Sequence, residues 1–332
     1  MPSSKMNTGD AGISDPVPAT YVWRDEFHDT FADRSVLLTG SAGFVGGHVA
    51  AALALLGADV TTLDCSAEPN AGRAIRADLR DSDAVARAIR LTRPDFVFHL
   101  AGVVDTSREL RLVRETLETN VLGTVNLLLA LAETDCTRVV TMGSSEEIAE
   151  EASAPISPYA ASKLAATSYS RMFASLFALP VVVARPFMSY GPGQQPQKII
   201  PYTICELLAG RNPVIRNGNR ICDLIYVTDL VRGLLYAVQD SKCVGQVVEI
   251  GTGVGIKLAD VVAELAHIVG STGHPVFDST DSAAVQCPQV ASAALSTAPI
   301  GWEPRWQLRD GLRETVAWYR QNIPTEVHAV GT

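Results

Sequence analysis

Residues 35–64 read SVLLTGSAGFVGGHVAAALALLGADVTTLD, and the change of pattern along this stretch decides the fold. Residues 35–39 form a short apolar run that stops at Gly40, as a buried strand would. From 44 to 56 the chain is rich in alanine and leucine, which favours a helix ended by Gly57. Gly40, Gly43 and Gly46 therefore fall at a strand-to-helix turn. Without Cβ atoms the backbone there can turn tightly and let a pyrophosphate approach the helix N-terminal amides of Phe44, Val45 and Gly46. A second strand over 59–63 delivers Asp64, 18 residues after Gly46. A carboxylate there can accept from both ribose hydroxyls and repels a 2′-phosphate, so the stretch predicts a dinucleotide turn that prefers NAD to NADP.

Outward from this turn, strands expected at 35–39, 59–63, 96–100, 138–142 and 181–184 alternate with helices near 44–56, 82–91, 110–133 and 158–178. The alternation implies an α/β fold of Rossmann type, a doubly wound parallel sheet covered on both faces. After Pro186 the units shorten: a Gly-Pro loop YGPGQQP, a helix near 200–208, a strand near 224–227 and a closing helix near 308–321. The expected organisation is a tail and arm over 1–33, a dinucleotide-binding domain over 34–186, mainly a substrate-binding lobe over 187–322, and a tail over 323–332. Within the arm, Trp23, Phe27 and Phe31 recur at helical spacing, as for a segment packed on the body or on a second subunit. In such a fold, ligands sit beyond the carboxyl ends of the strands, so the loops after Thr39, Asp64, Leu100 and Met142 should line one cleft.

Composition narrows the function. With 332 residues, 47% of them hydrophobic, the chain can bury a sizeable core. The formal net charge is −9 and the 27 basic residues are scattered, which argues against nucleic acid as a partner. Six cysteines stand far apart, without C-x-x-C, and the six histidines form no H-x-x-x-H pair. Such thiols fit a reducing cytoplasm, and no metal is expected. There is no run of 18 apolar residues and no signal-peptide pattern, so no membrane association is expected.

Tyr159 and Lys163, in ISPYAASKLAA, stand four residues apart on an expected helix, so they share a face. An adjacent ammonium favours phenolate over phenol, which would lower the tyrosine pKa toward neutrality and make a base for a sugar hydroxyl. An isolated pair of this kind is usually a solvated helix face; following a dinucleotide turn, it is not isolated.

Taken together the motifs resemble the extended short-chain dehydrogenase/reductase family of nucleotide-sugar epimerases, dehydratases and 4-ketoreductases. TGSAGFVG is similar to that family's glycine loop, ADLRD at 77–81 to its adenine-side pair, HLAG at 99–102 to its strand end under the nicotinamide, and NVLGT at 120–124 to its helix motif. VVTMGSSEE resembles the strand presenting its catalytic hydroxyl, PYAASK its Tyr-x-x-x-Lys element, ARPFMSYGPGQ and CDLIYVTDLV its two later motifs. The resemblance implies Tyr159 as acid/base, Lys163 on the nicotinamide ribose, and Ser145 on the reacting oxygen, with Ser144 at the substrate or capping the loop. It implies Asp78 and Leu79 at adenine and Leu100, Ala101 and Gly102 at the cofactor. His99 and Asn120 are expected to serve the fold rather than the chemistry.

Glu146 and Glu147 match the acid pair with which sugar-nucleotide 4,6-dehydratases expel water, although a similar run occurs in ketoreductases and exposed glutamate pairs are commonly solvated loops. The tyrosine that usually follows is Ala149. Two arginines that usually grip the diphosphate are replaced, by Cys222 and Ser279; Arg220, Arg216 and Arg211 are the candidates to compensate, unless the substrate carries no diphosphate. The resemblance implies an NAD-dependent C4 epimerase of a nucleotide-linked sugar, acting through a transient 4-keto intermediate. Alternatives are an NAD(H)-dependent 4-ketoreductase, a 4,6-dehydratase, and, from another class, a non-catalytic NAD-binding sensor or scaffold. A homodimer through the helices near 110–133 and 158–178 is expected by analogy, with Met172, Phe173, Leu176 and Phe177 on the shared face or in the core.

Overall fold

The computed structural model describes residues 23–65, 72–147, 154–278, 289–291 and 301–322. The two expected tails, together with Ala149 and Ser279, lie outside these residues. The first helix, α1 (Arg24–Phe31), leads into β1 (Ser35–Thr39), α2 (Phe44–Leu55), β2 (Asp59–Asp64), β3 (Arg73–Arg76), α3 (Ser82–Thr92) and β4 (Phe96–His99). Then follow α4 (Leu112–Thr116), a π-helical turn (Leu117–Leu122), α5 (Gly123–Leu131), β5 (Arg138–Met142), α6 (Pro158–Phe177), β6 (Val181–Pro186), β7 (Met188–Tyr190) and α7 (Ile199–Leu208). The chain closes with β8 (Val214–Arg216), β9 (Ile221–Tyr226), α8 (Val227–Gln239), β10 (Val247–Ile250), β11 (Gly255–Lys257), α9 (Leu258–Val269), β12 (Val276–Asp278) and α10 (Leu308–Asn322).

Seven strands form one parallel sheet in the order β10-β6-β5-β4-β1-β2-β3. Strand order reverses between β1 and β4, where the chain leaves for opposite edges and a crevice opens at the carboxyl ends. The strands are apolar along their whole length because both faces are covered. On one face α1, α2 and α8 bury Phe27, Phe31, Leu53, Leu234 and Trp302 against Val36, Leu38 and Val140. On the other, α3, α5 and α6 bury Ile89, Leu127, Leu131 and Phe173 against Leu37, Val97 and Val139. At about 25 cal/mol per Å², each fully buried leucine or phenylalanine stabilises the fold by roughly 1.5–3 kcal/mol.

Several elements differ from the sequence reading. The helix expected over 110–133 begins at Leu112 and is broken by the π turn, which re-aims Asn120. Neither β3 nor the helices α8 and α9 were anticipated. Within 187–322, expected to be mainly a lobe, α8 and β10 rejoin the main sheet, since Val227, Val231 and Leu234 are apolar at helical spacing and β10 pairs with β6. The lobe proper packs α7, α9 and α10 around β7 and β9. The aromatic arm packs on the body: Phe27 meets Tyr236 edge-on at 4.9 Å, and Phe31 meets Phe96 at 5.4 Å. Glu26 fastens it, accepting from Arg232 Nε and the Tyr236 hydroxyl, each at 3.0 Å. Among the described residues, no helix is long and apolar enough to cross a membrane.

Candidate active site

The glycine turn lies at the reversal of strand order. Gly40 adopts φ +76°, and a Cβ there would come within 2.6 Å of the Ala101 backbone, so the loops after β1 and β4 touch only because that position is bare. Gly46, in the first turn of α2, packs still closer: its Cβ would lie 1.9 Å from the Gly40 carbonyl oxygen. No side chain caps α2, whose N-cap is Gly43, so the first-turn amides of Phe44, Val45 and Gly46 face the loop as anion donors. Asp64 ends β2 beside them. Its Oδ1 accepts from the Gly40 amide at 2.7 Å, and its Oδ2 from the Ser41 amide at 3.1 Å and hydroxyl at 2.5 Å. Oδ1, with one donor, has room for a second, so Asp64 braces the turn and keeps a lone pair open at the crevice.

Behind the turn, one hydrogen-bond chain joins the strand ends to the π turn. The Thr124 hydroxyl donates to the Asn120 carbonyl at 2.6 Å, so it must accept from His99 Nε2 at 2.9 Å. His99 Nδ1 is then the acceptor for the Thr39 hydroxyl at 2.8 Å, which in turn receives the Ala101 amide at 3.2 Å. Burial, aided by Lys163, pushes the His99 pKa down to about 3, so the ring stays neutral and serves as a structural link. Asn120 braces the loop after β4, accepting from the Val103 amide at 2.8 Å and donating to the Val103 carbonyl at 3.0 Å and to Ser162 Oγ at 2.9 Å. Both residues thus serve the fold. Gly102 follows, with space for no more than a hydrogen beside Asn120 Oδ1.

On α6, Ser157 caps the helix by accepting from the Ala160 amide at 3.1 Å, and Pro158 takes the first turn, where its missing N–H costs nothing. Tyr159, Lys163, Thr167, Ser170 and Phe173 then recur on the buried face. Lys163 Nζ donates to the Met142 carbonyl at 3.0 Å and lies 5.9 Å from the centroid of the Tyr159 ring. The tyrosine itself differs from the sequence reading. Burial pushes its pKa up to about 12, a hydrogen bond with Ser144 pulls it down, and Glu147 and Glu146 push it up again. Lys163 does not figure in that balance; its ammonium donates to the Met142 carbonyl, and burial brings it down to about 8, against the pull of Glu147. The hydroxyl beside Tyr159 is that of Ser144, which also accepts the Glu146 amide at 3.1 Å, whereas the buried Ser145 opens a short 3₁₀ turn.

Neither glutamate is a free acid or base. Glu146 Oε1 pairs with Arg220 Nη2 at 3.1 Å, and the same nitrogen donates to Gln289 Oε1 at 3.0 Å. Glu147 has no exposed side-chain surface and pairs with Arg185 at 3.1 Å. Arg220, immediately before β9, therefore reaches the site, two residues ahead of the buried Cys222. Arg216 is exposed on β8, and Arg211 pairs with Glu206 at 2.6 Å. Asp78 is held by Arg80 Nη2 at 2.6 Å, and Leu79 is core, its carbonyl fixed by Asn126 at 2.8 Å. Sequence reasoning missed Arg185, Glu249 and Thr167. For the first two the signal was a charged residue ending the apolar run VVVAR and another inside VVEI, which in buried strands calls for partners.

A bare-glycine cradle, uncapped helix amides and a terminal acid fit a dinucleotide, and a buried tyrosine-lysine pair beyond the sheet marks an enzyme of the Rossmann class. The model of the NAD dependent epimerase/dehydratase family matches residues 36–251, and the chain belongs to that family. A putative UDP-glucose 4-epimerase of Methanocaldococcus jannaschii is 26% identical over 87% of this chain and 100% of its own length. The dTDP-D-glucose 4,6-dehydratase of Bos taurus is 27% identical, over 89% and 91%. Among solved structures, UDP-glucose 4-epimerase of Thermotoga maritima superposes with a TM-score of 0.80 at 27% identity, over 87% of this chain and 99% of that one. The protein is thus an NAD-dependent enzyme of the nucleotide-sugar epimerase/dehydratase type, in the extended short-chain dehydrogenase/reductase family.

Proposed function

We propose that the chain is a 4-epimerase of a nucleotide-activated sugar. What carries this reading is that the groups poised at the sheet's carboxyl ends are a hydroxyl pair and an amine, while both carboxylates a dehydratase would use are already committed to arginines. When bound, NAD supplies a hydride acceptor and donor, held by Gly40, Gly43, Phe44, Val45, Gly46, Asp64, Asp78 and Leu79 and by the Leu100–Gly102 segment. Tyr159 takes the proton of the sugar hydroxyl and later returns it; Ser144, with Ser145 next to it, holds the reacting oxygen. Lys163, anchored on the Met142 carbonyl, fixes the ribose side of the site. The burial of Tyr159 and Lys163 keeps water from the keto intermediate.

Arg220 is the side chain we assign to the substrate's diphosphate, supported by its place immediately before β9, two residues from Cys222, and by its reach to Glu146. Arg216, exposed at the end of β8, is a second candidate contact. The free thiols of the five described cysteines support a cytoplasmic location. The test is a panel of UDP- and dTDP-sugars, followed by product NMR and NADH absorbance, with Tyr159→Phe as the comparison. The epimerase reading expects a C4 epimer without net NADH change and a loss of about 10²–10⁴-fold in the variant. Stoichiometric NADH consumption would identify a ketoreductase, loss of water a dehydratase, NAD binding without any turnover a binding protein, and equal turnover by Tyr159→Phe would remove Tyr159 as the acid/base.

A further inference from the structure

The floor of the site is a four-charge cluster. Glu147 Oε1 accepts the Ser144 amide at 2.6 Å, and the Glu147 amide returns a bond to the Ser144 carbonyl at 3.0 Å. Its Oε2 accepts from Thr167 Oγ1 at 2.9 Å and from Arg185 Nη2 at 3.1 Å. Arg185 Nη1 reaches on to Glu249 Oε1 at 3.3 Å, across the β6–β10 pairing that sets those two residues side by side. Even Gly143 belongs to the arrangement, because a Cβ there would come within 2.7 Å of Glu147 Oε1. With Lys163, the cluster holds two cations and two carboxylates and is formally neutral.

We infer that Glu147 is a positioning residue for Ser144: one carboxylate oxygen fixes the serine backbone, and the other is anchored through Thr167 and Arg185 to Glu249. The inference rests on the epimerase reading, in which Ser144 and Tyr159 meet the reacting oxygen, and it gives the second glutamate a role other than acid or base. To reach a substrate atom, this carboxylate would have to leave three donors, one of them the Arg185 guanidinium, which would be left with Glu249 alone. Breaking a buried pair in that way leaves uncompensated charge and is strongly unfavourable. Arg185 Nε has no hydrogen-bond partner among the described residues, so with Glu147 gone the guanidinium would keep only its Glu249 contact at 3.3 Å. Held rigid, the Ser144 hydroxyl stays bonded to Tyr159 and to the Glu146 amide. A misplacement of about 1 Å in such a group costs on the order of 10²-fold in rate.

The cluster's charge gives a readout independent of turnover. Lys163 is faced by Glu147 from the 3₁₀ turn, by His99 from the end of β4, and by Tyr159 from its own helix. Glu147 favours the ammonium, so removing its charge lowers the Lys163 titration. The experiment uses full-length protein, with and without NAD, and labels the five lysines with 13C at Cε. Lys163→Met assigns the Lys163 signal. Glu147→Gln retains the acceptor toward Ser144 and removes the charge; Thr167→Val retains the charge and removes one anchor.

Both variants are expected to lose roughly 10- to 100-fold in kcat with KM nearly unchanged, since neither touches bound sugar. Only Glu147→Gln is expected to move the Lys163 titration, to lower pH. In D2O the wild type is expected to place no deuterium at sugar C5. Deuterium at C5 that disappears in Glu147→Gln would overturn the inference, as would wild-type kcat in Thr167→Val, which decides the matter even if Glu147→Gln fails to fold. If no sugar nucleotide is turned over, the epimerase reading falls. The Lys163 titration then decides on its own whether Glu147 is the charge that faces the lysine, and an unchanged titration in Glu147→Gln overturns the cluster as described.

Discussion

Gly46→Ala should cripple NAD binding, and the structure gives the size of the effect. The new methyl would be built 1.9 Å from the Gly40 carbonyl oxygen and 2.7 Å from its carbon, whereas real Cβ atoms essentially never approach closer than 3.0 Å. The obstacle is backbone, so relief requires the first turn of α2 to move away from the glycine loop by about 1 Å. Overpacking of this kind costs about 1–3 kcal/mol of stability. The cofactor is affected more, because the same shift withdraws the α2 amides from the pyrophosphate; a hundredfold rise in Kd, about 2.7 kcal/mol, is expected. Gly43→Ala is the internal comparison. Its φ of −81° suits any residue and its Cβ would sit 3.2 Å from the same oxygen, so a few tenths of an ångström suffice and NAD affinity should fall far less. Calorimetric titration with NAD, beside thermal unfolding of both variants, makes the measurement. Unchanged affinity in Gly46→Ala, or a larger loss in Gly43→Ala, would refute the placement of the cofactor on this turn.

Lys163→Met should abolish turnover yet raise the melting temperature at pH 7. Burial lowers this lysine to about 8, so the folded protein binds fewer protons there than the unfolded chain between that value and the ordinary 10.5; the stability penalty of the buried ammonium is full below pH 8 and fades as pH rises through that window. A difference in melting temperature that does not shrink from pH 7 to pH 10 would contradict this. Glu26 has the opposite sign: burial raises its pKa, but Arg232, Arg305 and Tyr236 outweigh burial and hold it below the usual 4.5. Its contribution is present above that value and lost as pH falls through the lower folded value, so thermal scans of Glu26→Gln should lie below wild type at pH 7 and converge with it in acid. Leu117→Asp should separate a dimer into monomers by sedimentation without loss of helix content. Val113 on α4, Leu117 on the π turn and Leu110 in the turn before them, together with Leu164, Tyr169 and Leu176 on α6, are large apolar side chains left exposed, whereas Phe173, a sequence candidate for that face, is core.

The architecture of residues 35–64 was legible because its signals are local: an apolar run, glycines where no side chain fits, and a helix pattern that starts and stops within a dozen residues. The same holds for Tyr159 and Lys163, which one helical turn forces onto a common face. What the sequence could not supply was anything that depends on which strands become neighbours. Glu249 stands beside Arg185 only because β10 returns to pair with β6, and Glu147 meets Arg185 through a turn 38 residues earlier in the chain. Charge spacing along the chain carries no trace of that meeting. The pKa of Tyr159 likewise followed from burial and from the neighbouring Ser144, Glu147 and Glu146, none of which is encoded in a spacing of four. By itself, then, the sequence determined a dinucleotide-binding α/β chain with a tyrosine and a lysine side by side, since short-range backbone sterics and helical periodicity suffice for that. Only the tertiary structure decided which serine faces the phenol and which glutamates are already paired, because those outcomes depend on low-dielectric contacts between segments that the sheet order alone brings together.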